Sequence, residues 1–224
     1  MKNKHSKIII WILAALSPIL CAVTYPFLPQ QVPMHWDINS TVSYEGKATF
    51  IFMAVLPLLL AGLFIYLPKI DPRKKNYAKF SKYYDYFCMF MMVFLLIANL
   101  VVVSESFFPG RISVGIVIQM LVGVLFLFLG NMMPKFKSNF FVGIKNPWTL
   151  SNTDVWNRTH RLSGILMFGM GIVTILTCFW LPPSLSFWLM MGMVLLLVLV
   201  PTIMSYIWYR KLPEEKRDTE RDEK

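Results

Sequence analysis

Six long apolar runs constrain this 224-residue sequence more than any other feature, because none of them contains a charged residue or a histidine. A helix needs about 20 mostly apolar residues to cross the hydrocarbon core of a bilayer. It also satisfies its own backbone hydrogen bonds, which lipid cannot do. The sequence therefore predicts an all-α integral membrane protein with six transmembrane helices. The predicted spans are residues 8–28, 49–68, 86–104, 113–133, 162–181 and 187–209.

The composition agrees with this fold class. Hydrophobic residues make up 56% of the chain and charged residues 15%, whereas a soluble domain carries about 25% charged residues. The three cysteines all lie in apolar runs, which excludes a disulfide scaffold and favours a packing role. Six spans leave too little chain for a second domain of ordinary size. We expect one membrane domain at residues 1–209 and a charged cytoplasmic tail at 210–224.

The positive charges predict the orientation of the spans. Of the 22 Lys and Arg residues, only Lys47 and Arg111 fall in the first, third or fifth connection between spans. Positive residues near spans are retained in the cytoplasm, so both termini are predicted to be cytoplasmic in a multi-pass protein of the cell membrane. The first run lacks a small-residue cleavage site and is expected to be retained. Basic residues also attract anionic lipids, which accounts for the net charge of +10 without nucleic acid.

Asn99 and Gln119 are the most polar residues inside the predicted spans. They lie at similar depths on consecutive antiparallel helices, so a hydrogen bond between their side chains is expected to support helix packing. A ligand site at this depth is the alternative interpretation.

Small residues repeat every seven positions in the fifth predicted span, at Gly164, Gly171 and Cys178. This spacing places them in one narrow stripe on the helix surface. The stripe predicts that another helix approaches closely there, either within the bundle or in a dimer.

The connection between the first two spans is expected to lie on the outer surface as a segment with turns that is too short to fold alone. Its prolines and Asn-Ser-Thr sequence are typical of turns, and Trp36 and Tyr44 can enter the membrane interface. A metal site at His35 is disfavoured, because the other two histidines fall on the opposite side. No metal or cofactor is predicted. The candidate residues of this outer loop are Pro33, His35, Trp36, Tyr44 and Lys47.

The connection between the fourth and fifth spans alternates basic and aromatic residues. Such a segment can lie in an anionic interface and still offer polar groups to a cytoplasmic partner. The same mixture occurs in sites for single-stranded nucleic acid, but the adjacent membrane makes lipid the expected anion. Ser151 and Asp154 resemble a capping box, which predicts that a helix begins near Asn152 and continues into the fifth span. Trp156 and His160 would share a face of that helix.

Two groups of residues carry a family resemblance. The first is Pro33-Met-His-Trp36 with Tyr44 and Lys47, and the second is Gly130, Pro134, Asn139, Gly143-Ile-Lys-Asn-Pro-Trp-Thr-Leu150, Trp156, Thr159 and His160. Together they resemble the bacterial SdpI family of multi-pass immunity proteins. The family commonly has Arg and Thr where this chain has Lys145 and Asn146, so a point charge replaces a planar guanidinium. It also often has a glycine after the His-Trp pair, where this chain has Asn39-Ser-Thr.

The resemblance implies a non-enzymatic protein that protects a cell from a secreted killing peptide. The outer-loop residues above are the predicted toxin-sensing surface, because an exported peptide meets that side and the loop holds Trp36 and Tyr44. In the founding member, the toxin-engaged protein also holds a small transcriptional repressor at the membrane, so a repressor is an expected cytoplasmic partner. The fourth connection would serve that partner or hold the inner ends of the helices. Its signature residues are Asn139, Gly143, Lys145, Pro147, Trp148, Thr149, Leu150, Trp156, Thr159 and His160.

Two other function classes were compared with immunity. Transport or export of a small lipophilic substrate is the alternative, because Pro18, Pro57 and Pro201 should kink uncharged spans that could pass an apolar cargo. An intramembrane enzyme is disfavoured, since no span carries a His-Glu-x-x-His motif, an Asp pair or a Ser-His pair. Uptake or efflux of a labelled substrate would separate a transporter from an immunity protein.

Overall fold

The computed structural model describes residues 4–37 and 41–217. Within these residues, six helices are long and apolar enough to cross a membrane, which confirms the predicted helical membrane fold. Lys2, the centre of the outer loop at 38–40 and the last part of the predicted tail at 218–224 lie outside the described residues. The helices are α1 (Lys4–Thr24), α2 (Ala48–Ile70), α3 (Lys74–Phe107), α4 (Val114–Met132), α5 (Pro147–Ser151), α6 (Thr153–Trp180) and α7 (Pro183–Arg210).

Two of the long helices extend well beyond the apolar spans. α3 begins at Lys74 rather than near residue 86, and α6 begins at Thr153, close to the start predicted near Asn152 and ahead of the fifth span. Hydropathy locates only the part of a helix that crosses lipid, whereas backbone hydrogen bonding continues through the polar turns that follow. Phe80 departs from helical geometry (φ −133°, ψ 19°) and marks a kink between the polar start of α3 and its apolar part.

The six long helices form two groups of three. The first group contains α1, α2 and α3, and the second contains α4, α6 and α7, with much sparser contact between α3 and α4. We call one end of the bundle the basic end. It comprises the start of α1, the α2–α3 turn, the connection at 133–152 and residues 211–217. The opposite end, with the connection between α1 and α2, is called the hairpin end.

Glycines bring α4 and α6 into direct backbone contact. A Cβ atom on Gly164 would lie 2.7 Å from the carbonyl oxygen of Gly130, and one on Gly171 would lie 2.7 Å from that of Gly123. Side chains at these positions would therefore force the two helices apart. The predicted close approach at Gly164 and Gly171 is confirmed, and it occurs within the bundle. Cys178, the third residue of the stripe, is buried.

The outer loop forms a β-hairpin, so it contains paired strands where the sequence predicted only a segment with turns. β1 (Gln31–Trp36) pairs antiparallel with β2 (Val42–Gly46), with an irregularity in the register between Pro33 and His35. Val32 is fully buried among the helices, together with Phe50. A short strand containing proline has little local signal, and it is packing on the helices that stabilises this one.

The expected hydrogen bond between Asn99 and Gln119 does not form. Asn99 is buried, and its Nδ2 donates to the carbonyl oxygen of Leu95 at 2.9 Å and lies 3.5 Å from Ser17 Oγ. It faces α1 and α2 because α3 packs mainly on those helices. Gln119 lines a cavity instead. Equal depth in the membrane did not make the two side chains neighbours.

Candidate functional site

The basic end is organised around a buried carboxylate in the α2–α3 turn. Asp71 is 2% exposed, and its Oδ2 accepts hydrogen bonds from the Phe140 backbone N–H at 2.9 Å and from the Tyr77 hydroxyl at 3.1 Å. Its Oδ1 accepts from the Arg73 backbone N–H at 2.7 Å. The carboxylate thus joins the α2–α3 turn to the connection after α4.

The guanidinium of Arg73 reaches the same connection at two further points. Nη1 donates to Ser138 Oγ, and Nη2 donates to the carbonyl oxygen of Leu150 at 2.6 Å. The guanidinium carbon lies 5.0 Å from the centre of the Phe140 ring. Asn76 adds a bond from its Nδ2 to the Ser138 carbonyl oxygen at 2.9 Å. A planar fork with several donors suits this arrangement, which one ammonium group cannot reproduce.

Asn139 uses both ends of its amide inside its own loop. Oδ1 accepts from the backbone N–H groups of Phe141 (2.9 Å) and Val142 (2.6 Å). Nδ2 donates to the carbonyl oxygens of Lys137 (2.8 Å) and Val142 (2.9 Å). The side chain is fully buried and has no donor or acceptor left for a partner. Asn139 therefore has a structural role.

Trp156 and His160 share a face of α6, as predicted, and their rings stack with centroids 3.9 Å apart. Both side chains are fully buried. Trp156 Nε1 donates to the carbonyl oxygen of Phe136 at 2.9 Å. His160 Nδ1 lies 2.8 Å from the Trp156 carbonyl oxygen, and its Nε2 accepts from the Ile144 N–H at 3.2 Å. A carbonyl partner on one nitrogen and an N–H partner on the other require the neutral imidazole with its proton on Nδ1.

Gly143 completes the contact with the imidazole. Its backbone lies in the left-handed region (φ +116°), and a Cβ at this position would overlap His160 Nε2. Glycine is needed here both for the backbone conformation and for the close approach.

A short helix, α5, attaches the connection to α7. Asn146 caps it, with Oδ1 accepting from the Thr149 N–H at 2.9 Å and the Thr149 hydroxyl accepting from the Asn146 N–H at 3.0 Å. Asn146 Nδ2 also donates to Ser205 Oγ at 2.9 Å, and the rings of Trp148 and Tyr206 lie 5.1 Å apart. These contacts hold α5 against the second helix group.

The helix after α5 begins where predicted, but its cap is a different residue. Asn152 Oδ1 accepts from the backbone N–H groups of Asp154 (2.9 Å) and Val155 (3.1 Å). The Ser151 hydroxyl instead donates to the Pro147 carbonyl oxygen at 2.7 Å. The proposed Ser151 capping box is therefore wrong, because Ser151 still belongs to α5.

Most of the predicted signature residues at this end point inward. Lys145 and Pro147 are exposed, and the Lys145 ammonium donates to the carbonyl oxygens of Phe140 (3.2 Å) and Phe141 (3.0 Å). Gly143, Trp148 and Leu150 are half-buried. The buried members are Asn139, Thr149, Trp156, Thr159 and His160. The structure thus brings these residues together chiefly as packing partners of one another.

Several residues that form hydrogen bonds at the basic end were not among the site candidates predicted from the sequence. The long-range pairing of Asp71 and Arg73 with the 133–152 connection has no local signal, although an Asp-Pro-Arg sequence directly after a span indicates a turn. The residues missed are Asp71, Arg73, Asn76, Ser138, Asn146, Asn152 and Ser205.

The hairpin brings some of the outer-loop candidates together but separates Trp36 from Tyr44. Pro33 is buried, Trp36 is half-buried, and His35 and Tyr44 are exposed. Tyr44 pairs with Pro33, whereas Trp36 pairs with Val42, so Trp36 and Tyr44 are not cross-strand neighbours. The Lys47 ammonium lies 4.8 Å from the centre of the Tyr25 ring.

A cavity of about 650 Å³ lies at the hairpin end between the two helix groups. His35 and Trp36 line it from the hairpin, and Gln119 lines it from α4. Aliphatic and aromatic side chains from α3, α4 and α7 make up most of the remaining wall. In the described part of the chain, no three His, Cys, Asp and Glu side chains come together as a metal site.

Comparisons with known proteins match both ends of the molecule. Residues 135–205 match the SdpI/YfhL protein family, and residues 12–61 match a domain of unknown function (DUF1648). The chain is 26% identical over 212 residues to the immunity protein SdpI of Bacillus subtilis (strain 168), which covers 95% of this chain and 98% of that protein. No solved structure matches the chain.

Proposed function

This chain belongs to the SdpI family, and on that premise we propose that it is a membrane immunity protein that protects its cell from a peptide toxin. The observation that carries the proposal is the similarity to an immunity protein along almost the whole of both chains. A match of this extent includes the hairpin, the α2–α3 turn and the 133–152 connection, rather than the apolar spans alone.

The proposed orientation places the basic end in the cytoplasm and the hairpin end outside. Its support is the distribution of positive charge, since Lys47 and Arg111 are the only Lys and Arg residues in the connections of the hairpin end. A secreted peptide would then reach the hairpin and the cavity beside it first. His35 and Tyr44 present exposed side chains there, and Trp36 lines the cavity.

A cytoplasmic partner, such as a transcriptional repressor, would meet a smaller surface than the signature residues suggest. Lys145 and Pro147 are the exposed members of that set, whereas Asn139 and His160 use their hydrogen-bonding groups within the protein. We therefore assign partner contact to the exposed residues and helix anchoring to the buried ones. Anionic lipids would bind the surrounding lysines and arginines.

Survival of a sensitive cell tests the proposed function. The chain is expressed in a Bacillus subtilis strain that lacks its own immunity protein SdpI, and the cells are exposed to that bacterium's secreted killing peptide. Growth at peptide concentrations that kill cells with an empty vector is the expected result. Equal killing of both strains, with the chain present in the membrane, would contradict the proposal. Loss of labelled peptide from loaded vesicles would instead indicate export.

A further inference from the structure

Two residues that line the cavity of the hairpin end each carry a buried hydrogen-bond donor that has no acceptor among the described residues. The donor atoms are Nε1 of Trp36 and Nε2 of Gln119. A buried donor without a partner costs about 1–3 kcal/mol, and a buried indole N–H normally has an acceptor. The two residues come from different elements, β1 and α4, and both line the same cavity.

The rest of the wall suits an apolar ligand. Val101 and Val102 contribute from α3, Ile118 and Val122 from α4, and Phe187 from α7. The volume of about 650 Å³ lies within the range of about 300–1,000 Å³ typical of small-molecule and cofactor sites. A ligand that fills this space must bury apolar surface and also supply acceptor atoms to the two donors.

We propose that the cavity binds an apolar peptide segment whose backbone carbonyl oxygens accept hydrogen bonds from Trp36 Nε1 and Gln119 Nε2. This inference rests on the proposed function, and it names the site at which the toxin is held. A peptide offers a carbonyl oxygen at every residue, together with apolar side chains for the walls. A lipid acyl chain fills the same walls but carries acceptors only at its ester end.

Conservative variants separate ligand binding from folding. Trp36→Phe and Gln119→Leu remove the donors while keeping most of the apolar volume. Since neither donor bonds to the described protein, their loss should leave stability unchanged or slightly higher. Each variant should weaken peptide binding by about 3-fold to 10-fold, the value of one hydrogen bond. Trp188→Phe is the matched control, because this indole is 63% exposed and lies outside the cavity wall.

The experiment uses the full chain in lipid nanodiscs with the fluorescently labelled Bacillus subtilis killing peptide as the probe. Titration gives the affinity of the wild type and of the three variants, and thermal melting reports their stability. In parallel, a benzophenone group placed at Val122 is photoactivated, and mass spectrometry identifies the adduct. We expect a peptide adduct, weaker binding by Trp36→Phe and Gln119→Leu, and unchanged binding by Trp188→Phe.

The possible outcomes distinguish this site from the proposed function. If the wild type protects cells but the two donor variants bind the peptide as well as the wild type does, the site is wrong and the function stands. If the peptide binds in the cavity without protecting cells, the site stands and the immunity function is wrong. A lipid adduct that persists at saturating peptide identifies a lipid groove and overturns the site. Absence of both binding and protection overturns both proposals.

Discussion

The two helix groups are in direct contact at the basic end of the bundle, whereas a cavity lies between them at the hairpin end. At the basic end, Asp71 and Arg73 bond to the 133–152 connection. Phe136 from that connection packs between the groups, and the centroid of its ring lies 5.7 Å from that of the Phe80 ring. At the hairpin end the groups are separated by a cavity, and Trp36 and Gln119 leave buried donors unpaired within the described structure.

This difference changes how a residue signature should be interpreted. The longer and more specific signature lies at the basic end, where most of its side chains pack against or form hydrogen bonds with other parts of the protein. The shorter signature lies at the hairpin end, where Trp36 lines an apolar cavity and its buried indole N–H has no acceptor among the described residues. A recognisable set of residues can thus specify how a protein is held together, whereas the ligand site that we propose involves fewer residues at the other end.

Chemical labelling of the two ends should give the largest contrast, an all-or-none one. Glu45→Cys at the hairpin and Arg158→Cys on α6 are introduced singly after the buried cysteines Cys21, Cys88 and Cys178 have been replaced. An impermeant maleimide should label position 45 in intact cells and position 158 only after permeabilisation, because positive residues stay in the cytoplasm. The reverse pattern would invert the proposed orientation and remove the hairpin from contact with a secreted peptide.

Truncation of Trp156 should cause the largest loss of stability at the basic end. Trp156→Ala removes a fully buried ring and its bond to Phe136, so we expect about 3–5 kcal/mol of destabilisation. Thermal melting in detergent and membrane abundance provide the measurements. Trp180→Ala is the control, since Trp180 is 83% exposed. Equal melting temperatures for the two variants would show that the basic end does not stabilise the bundle.

Replacement of Arg73 by lysine keeps the charge but removes the planar fork. Arg73→Lys cannot reproduce the paired contacts with Ser138 and Leu150, and we expect a loss of about 1.5–3 kcal/mol. Lys145→Ala removes a positive charge from an exposed position nearby and should change stability by less than about 0.5 kcal/mol. A larger effect of Lys145→Ala than of Arg73→Lys would contradict the assignment of anchoring to the buried network.

A matched pair of histidine variants, one at each end, should show the smallest difference in stability. His160→Phe retains an aromatic ring beside Trp156 but leaves the Ile144 N–H without its acceptor, which should cost about 1–3 kcal/mol. His35→Phe alters an exposed residue at the cavity and should leave stability unchanged while protection against the peptide falls. Melting curves and survival assays are measured on both variants. Loss of stability from His35→Phe with no loss from His160→Phe would reverse the comparison.

The sequence by itself determined the six spans and the close contact along α6. Each span forms because one segment lowers its free energy by entering lipid with its backbone bonds satisfied, and this depends on the segment's own composition. The glycine stripe is equally local, since its seven-residue spacing lies in one helix. Neither inference required knowledge of which helices are neighbours.

Only the tertiary structure decided which side chains meet. Asn99 faces α1 and α2 while Gln119 faces the cavity, because α3 packs with the first helix group and α4 with the second. The first hairpin strand, Gln31–Trp36, is stabilised by burial against the helices rather than by strand propensity. The bond from Arg73 to Leu150 joins residues far apart in the chain. Such contacts depend on the arrangement of several helices at once, and no single segment of the sequence contains that information.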